Sequence, residues 1–194
     1  MWQFGRAQVH AGPHCPGFHI SVGADMSKTF YGKYRGTVIN NIDPLQIGRI
    51  QAMVPDFAGL VPGTWAMPCV PVAGTNSGIF TVPIIGSGVW IEFERGDPDR
   101  PIWVGGYWDS AAEVPELAHA VPPGVPGITI QTPLKNGIVV SDAPGPSGGI
   151  LIQTTTGATI SVSDVGIIIS NGKGAIINMT GPTVDLNLGA LTVV

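Results

Sequence analysis

The sequence predicts an all-β chain in two parts: a five-stranded closed barrel, then a tail of short strands that winds with two further copies into an intertwined triple-stranded β-helix, a homotrimer. Three observations predict it. Charged residues make up 11% of the 194 residues, while 28 Gly and 18 Pro fill nearly a quarter of the chain. Ordinary domains carry roughly 25% charge, and so Gly- and Pro-rich a composition leaves little room for long amphipathic helices. From residue 30 to about 110, short β-type runs alternate with turn signals every 8 to 15 residues. Beyond residue 148, glycine returns at near-octad intervals, the mark of a repeat. A net charge of −4 without long charged runs gives no pull on a phosphate backbone or an anionic membrane, so nucleic acid is not an expected partner.

Residues 1–29 are expected to be a disordered leader or an extension upstream of the true start, because Met26 opens MSKTFYGKYRG, which reads like a natural beginning. The segment holds His10, His14, His19 and Cys15, a metal-binding set by residue type alone. With no periodic element to hold them and no paired ligand spacing, no metal site is expected there. No basic stretch followed by 7 to 15 apolar residues opens the chain, so no ordinary signal peptide is expected. Two cysteines, Cys15 and Cys69, cannot build a disulfide framework, and Cys69 between Pro68 and Val70 reads as a small buried hydrophobe.

Residues 30–110 form the barrel domain. Strands are expected at Tyr34 to Asn40, Gly48 to Pro55, Trp65 to Pro71, Val89 to Arg95 and Ile102 to Tyr107. The turn Asp97-Pro98-Asp99 joins the last two as a hairpin, since Pro98 presets φ and the Asp side chains accept local backbone N–H groups. Some of Trp65, Trp90, Trp103 and Trp108 are expected to fill the barrel or a contact between copies. Residues 111–127, with Pro115, Pro122, Pro123 and Pro126, read as a stiff connector belonging to neither neighbour.

The tail, residues 128–194, contains no aromatic residue. Cut every eight residues from Gly148 it reads GGILIQTT, TGATISVS, DVGIIISN, GKGAIINM, TGPTVDLN, LGALTVV. The repeat glycines are Gly149, Gly157, Gly166, Gly174, Gly181 and Gly189. Three residues after each stand Ile152, Ile160, Ile169, Ile177, Val184 and Thr192, an inward column. Ile150, Ala158, Val162, Ile167, Ala175, Met179, Leu186 and Val194 add to the same face, whereas Gln153, Ser161, Ser170, Asn178, Asp185 and Val193 follow on the other. Such period-2 alternation marks strands buried on one side.

Strands this short give one chain little core and leave both edges open. A single-chain solenoid needs about 18 to 25 residues per coil, so an eight-residue period favours three chains winding together, each strand pairing with neighbours in other chains. Each chain then supplies one face of a triangular prism, with glycine turning the corners. The expected trimer core is Ile152, Ile160, Val162, Ile169, Ile177, Val184 and Leu186.

Residues Pro83 to Trp108, PIIGSGVWIEFERGDPDRPIWVGGYW, together with Gly36-Thr37-Val38 and Gly48-Arg49-Ile50, resemble the OB-fold domain of phage baseplate assembly protein V. Its relatives include the VgrG-like central spikes of contractile tails, type VI secretion systems and extracellular injection systems. The octad tail resembles the glycine-punctuated repeats of the same spikes. The resemblance implies a non-enzymatic homotrimeric spike without cofactors, assembled in the cytoplasm into a tail or injection particle and afterwards part of a virion or extracellular. Its OB domains would sit on a baseplate hub, and its β-helix would point at the target cell envelope. Two family features are missing: there is no room between Ser110 and Gly127 for a lysozyme domain, and no histidine follows His119, so the iron-binding His-x-His apex is not carried over. A blunt end of this kind resembles a docking platform for a separate tip protein of the proline-alanine-alanine-arginine (PAAR) repeat type. Leu191, Val193 and Val194 are the docking residues expected, the first two being apolar at positions read as outward.

Other chemistries find little support in the residues. Glu92 and Glu94 alternate along one strand with carboxylates roughly 7 Å apart, within glycosidase range, but their pattern is that of outward, solvated residues flanking Ile91 and Phe93. No nucleophile elbow, phosphate-cradling loop or paired metal motif occurs. A trimeric β-helical adhesin or tail fibre is the alternative from another class. An OB-type single-strand binder is a weaker one, because residues 26–110 carry six basic and seven acidic side chains.

Overall fold

The computed structural model describes residues 29–56 and 64–193. The expected leader with His10, His14, Cys15 and His19 lies outside the described residues, as does Val194. The chain divides into two compact units, one of residues up to Ile85 with Val89–Gly105, the other of Gly86–Gly88 with Gly106 onward.

The first unit is built on β1 (Tyr34–Asn40), β2 (Gln51–Met53), β3 (Met67–Pro68), a small hairpin of β4 (Ala73–Gly74) and β5 (Ser77–Gly78), β6 (Gly88–Phe93) and β7 (Pro101–Tyr107). Hydrogen bonding runs β2-β1-β6-β7-β3, with β3 parallel to β7. Ile50 and Ala66 close the ring as an isolated antiparallel bridge, their N–H groups reaching each other's carbonyls at 3.2 and 2.8 Å. This is the ring order of a five-stranded Greek-key barrel with one inserted hairpin.

β1 has the expected bounds and β7 begins one residue earlier, whereas β2, β3 and β6 are shorter than the sequence pattern suggests. Pro68 and Pro71 lack N–H donors, so β3 ends early. β6 ends at Phe93 because Glu94–Gly96 makes one helical turn, with Arg95 at φ 56°. Glu94 therefore stands beyond the strand that Glu92 occupies. Asp97 Oδ1 accepts the Asp99 N–H at 3.0 Å in the hairpin turn. Cys69 is exposed rather than buried: its N–H bonds to the Trp103 carbonyl at 2.9 Å just past the end of β3, where the chain leaves the barrel wall.

Val38, Ile50, Ala66, Val89, Ile91 and Trp103 form the barrel core, with Ala52, Val54, Val82 and Phe93 packed against it. Of the tryptophans named from the sequence, Trp103 fills the barrel, and its indole N–H donates to the Gly48 carbonyl at 3.0 Å. Trp65 and Trp90 lie under the guanidinium groups of Arg49 and Arg35, each 5.3 Å from the ring centroid, and Trp108 is exposed.

The second unit contains eight strands: β8 (Gly127–Gln131), β9 (Gly137–Ser141), β10 (Gly149–Gln153), β11 (Thr159–Val162), β12 (Ile167–Ser170), β13 (Ile176–Thr180), β14 (Thr183–Leu186) and β15 (Leu191–Val193). They pair strictly in sequence order as one antiparallel sheet. Within the single chain each interior strand has both neighbours in its own sequence. The reason lies in the period: a strand of four or five residues plus a short turn reverses the chain once per octad. A meander results, and no solenoid coil is needed.

The expected connector carries local structure of its own. Residues 111–127 contain two short helical turns, Ala111–Glu113 and Glu116–Ala120, and the second lies on the first hairpin of the sheet. The Leu117 N–H donates to Gln131 Oε1 at 2.9 Å, and Glu116 pairs with Lys135 at 2.5 Å. Leu117 lies over Gly137 and Val121 over Gly127, where a Cβ would collide with them.

Candidate self-association surface

Strand alternation and register together decide which side chains share a face. The Cα pairings place Ile130, Ile138, Ile152, Ile160, Ile169, Ile177, Leu186 and Leu191 in one row across all eight strands. A second row beside it on the same face contains Ile128, Val140, Ile150, Val162, Ile167, Met179, Val184 and Val193. All sixteen residues are apolar. The opposite face is mixed, with Leu151, Ser161, Ile168, Asn178 and Asp185 following one another in one row.

The aliphatic face lies open in the single chain. Ile152, Ile160, Ile169 and Ile177 remain 37–41% exposed, and Ile128 and Ile130 more so. Val139, on the opposite face beside the connector, is by contrast buried. A whole Val or Ile side chain corresponds to about 100 Å² of apolar area at 25 cal/mol/Å², so sixteen such chains about 40% open leave on the order of 600 Å² in water. That is the upper end for the largest apolar patch on a monomer.

Ile152, Ile160, Ile169, Ile177 and Leu186 stand in the first row, Val162 and Val184 in the second. Sequence reasoning missed Ile128, Ile130, Ile138 and Val140 because β8 and β9 precede the glycine register, although their own alternation carried the signal. Ala158 and Ala175 lie in turns and not on the face. Leu191 and Val193 are not outward: β15 pairs Leu191 with Leu186 and Val193 with Val184, so both join the aliphatic face. Leu191 stands two residues after its glycine, whereas Ile152, Ile160, Ile169, Ile177 and Val184 stand three after theirs, and a one-residue shift exchanges the faces. The same shift pairs Thr192 with Asp185, in the register of the opposite face. What sets this end apart is that β15 is an edge strand.

Five of the six repeat glycines occupy connections between neighbouring strands of one sheet, and Gly149 opens β10. Gly149 shows why the residue is needed: φ is +80° and a Cβ would overlap the Val162 carbonyl oxygen. Stacked turns are tied to one another by side chains. Asn136 Oδ1 accepts the Thr155 N–H at 3.0 Å, Asn187 Oδ1 accepts the Ile176 N–H at 3.0 Å, and Asp164 Oδ2 accepts the Gly145 N–H at 3.1 Å.

In the barrel, the β1–β2 loop is organised by Asp43. Its carboxylate accepts Arg49 Nη2 at 2.6 Å and Nε at 3.0 Å, and the N–H groups of Leu45, Ile47 and Arg49 at 3.0 to 3.2 Å. The Arg49 guanidinium, helped by those backbone donors and opposed by partial burial, holds this carboxyl well below the usual carboxylate range. Lys33 pairs with Glu92, and Arg100 with Glu94 at 3.7 Å, so both carboxylates considered for catalysis are engaged in surface ion pairs. Among the described residues no His, Cys, Asp and Glu side chains gather as a metal site, and no helix is long and apolar enough to cross a membrane.

Comparison with known families matches both units. Residues 34–108 match the type VI secretion system/phage-baseplate injector OB domain, and residues 127–192 match the phage baseplate V C-terminal trimerisation domain. No curated protein sequence matches the chain. The trimerisation-domain match supports self-association, and the two families are structural baseplate components. An OB barrel followed by a self-associating β-sheet, in the order and over the residues of these two domains, makes this chain a member of the phage baseplate V family, with a spike-like structural role in the baseplate.

Proposed function

We propose that the chain is the central, cell-puncturing spike of a contractile phage tail or contractile injection system. Three copies bring their aliphatic faces together around a common axis as a triangular prism, one sheet per face. The observation that carries this reading is the unbroken double row of sixteen apolar side chains left open by the single chain. About 600 Å² of apolar surface per copy approaches the ~800 Å² per partner of a standard stable interface. No aromatic residue obstructs the narrow axis.

The role is mechanical and without catalysis. The barrels seat on a baseplate hub, sheath contraction drives the trimer into the target envelope, and the prism transmits the load through continuous ladders and an aliphatic core. The edge strand β15, with Leu191, Val193 and Val194, is where a PAAR-type tip protein docks. Assembly takes place in the cytoplasm and the product is carried in the particle.

Light scattering on the full chain tests this reading. A trimer of about three times 20.1 kDa that resists SDS at room temperature is expected. A stable monomer refutes it, and tip binding that survives deletion of residues 187–194 refutes the docking site.

A further inference from the structure

We propose that the two lateral margins of the tail sheet are complementary charged seams, the lysine margin of one copy docking against the aspartate margin of the next. This pairing sets the direction and register in which the copies close. The inference rests on the prism reading above and goes beyond it, since an aliphatic core by itself specifies neither.

The tail carries only five charged residues: Lys135, Asp142, Asp164, Lys173 and Asp185. In a meander, successive turns fall on alternate margins of the sheet. Lys135 lies in the β8–β9 turn and Lys173 in the β12–β13 turn, which share one margin. Asp142 lies in the β9–β10 connection and Asp164 in the β11–β12 turn, which share the other. Asp185 is set apart within β14, where its carboxylate accepts the Gly189 N–H at 2.6 Å.

Lys173, Asp142 and Asp164 are exposed, and among the described residues none of them has an ion-pair partner in its own chain. Lys135 is held by the exposed Glu116. The charges are therefore sorted by margin and largely unspent within the single chain.

In a ring of three parallel faces, every lysine margin meets an aspartate margin, because cyclic contacts are head-to-tail. Reversing one face while keeping its aliphatic side inward exchanges its margins, and lysine then meets lysine. Height along the axis gives a second constraint. The Lys173 and Asp164 turns differ by one strand, about 4.8 Å, and so do those of Lys135 and Asp142. That offset is within reach of the flexible four-carbon lysine stem. Sliding a neighbour by one strand brings one pair level and moves the other about 10 Å apart. Only the unshifted arrangement serves both pairs, and it is the one that ring closure allows.

Zero-length carbodiimide coupling on the full-length protein tests the seam. Within one chain Lys173 and Asp164 lie at opposite ends of β12, at least about 13 Å apart, so an amide between them must join two copies. Covalent dimers and trimers carrying that link are expected. Lys173→Arg, which keeps the charge, should lose the link and leave the trimer intact. At low salt, Lys173→Glu should speed subunit exchange roughly tenfold, and combining it with Asp164→Lys should restore the native rate, the difference fading in 1 M salt. Asp164→Asn, which keeps an oxygen for the Gly145 N–H, separates charge from that local bond. A trimer with no Lys173–Asp164 link and no rescue by the swap overturns the seam while the prism stands. A monomer overturns both.

Discussion

Ile168 and Ile169 offer a discriminating perturbation, because they are adjacent on β12 and equally exposed in the single chain, at 39% and 38%. Ile169 lies in the aliphatic row between Ile160 and Ile177, whereas Ile168 faces the other way between Ser161 and Asn178. If the sheet worked alone, Ile→Ala would cost about the same at both positions, roughly 1–2 kcal/mol for the part of the side chain already buried. In the closed prism Ile169 loses its remaining exposure and Ile168 keeps it. Ile169→Ala then becomes a full core truncation worth about 2–5 kcal/mol per chain, and symmetry applies it three times, giving about 6–15 kcal/mol per trimer. The assay is the temperature at which the SDS-resistant trimer dissociates, with the unfolding rate in guanidinium as a second readout. Ile169→Ala should lose the SDS-resistant species and Ile168→Ala should retain it. Equal losses at the two positions, or a greater loss at Ile168, would show that the aliphatic rows do not face an interior.

Three further outcomes follow from the same geometry. Asp43→Asn should destabilise the barrel at neutral pH; because the folded carboxyl titrates below its unfolded value, its contribution is present above the ordinary Asp range and fades as pH falls below about 4, so stability curves of the two proteins should converge in acid and run parallel from pH 5 to 8. Trp103→Phe removes the indole donor to the Gly48 carbonyl and leaves a void in the barrel, costing about 2–3 kcal/mol in denaturant unfolding; a change under 0.5 kcal/mol would contradict the packing. Gly149→Ala places a Cβ on the Val162 carbonyl at a left-handed φ, so a loss above about 1–3 kcal/mol or failure to assemble is expected, while Gly174→Ala, with open space around its Cβ, should cost less in the same thermal-melt assay.

Much of the tail was legible in the chain itself. Period-2 alternation is a property of extended backbone whatever partner a strand chooses, so Ile152, Ile160, Val162, Ile169, Ile177, Val184 and Leu186 could be placed on one face without knowing what they pair with. The barrel's aromatic and aliphatic runs likewise marked its main strands, while the two-residue strands of the β4–β5 hairpin were too short to leave a pattern.

Tertiary structure decided what local pattern does not encode. Which face a strand turns to the sheet's neighbours depends on register, and at the end of the tail a one-residue change in the spacing from glycine to face residue put Leu191 and Val193 on the aliphatic side and not on the side expected of them. Barrel closure brings Ile50 to Ala66 and sets Met67 parallel to Ile102, contacts between segments whose separation leaves no periodic trace. The resting place of residues 116–121 was decided by Gly127 and Gly137, bare positions that take on meaning only once the strands carrying them lie side by side. Alternation along the backbone assigns residues to faces, and only the path of the turns decides which face meets water.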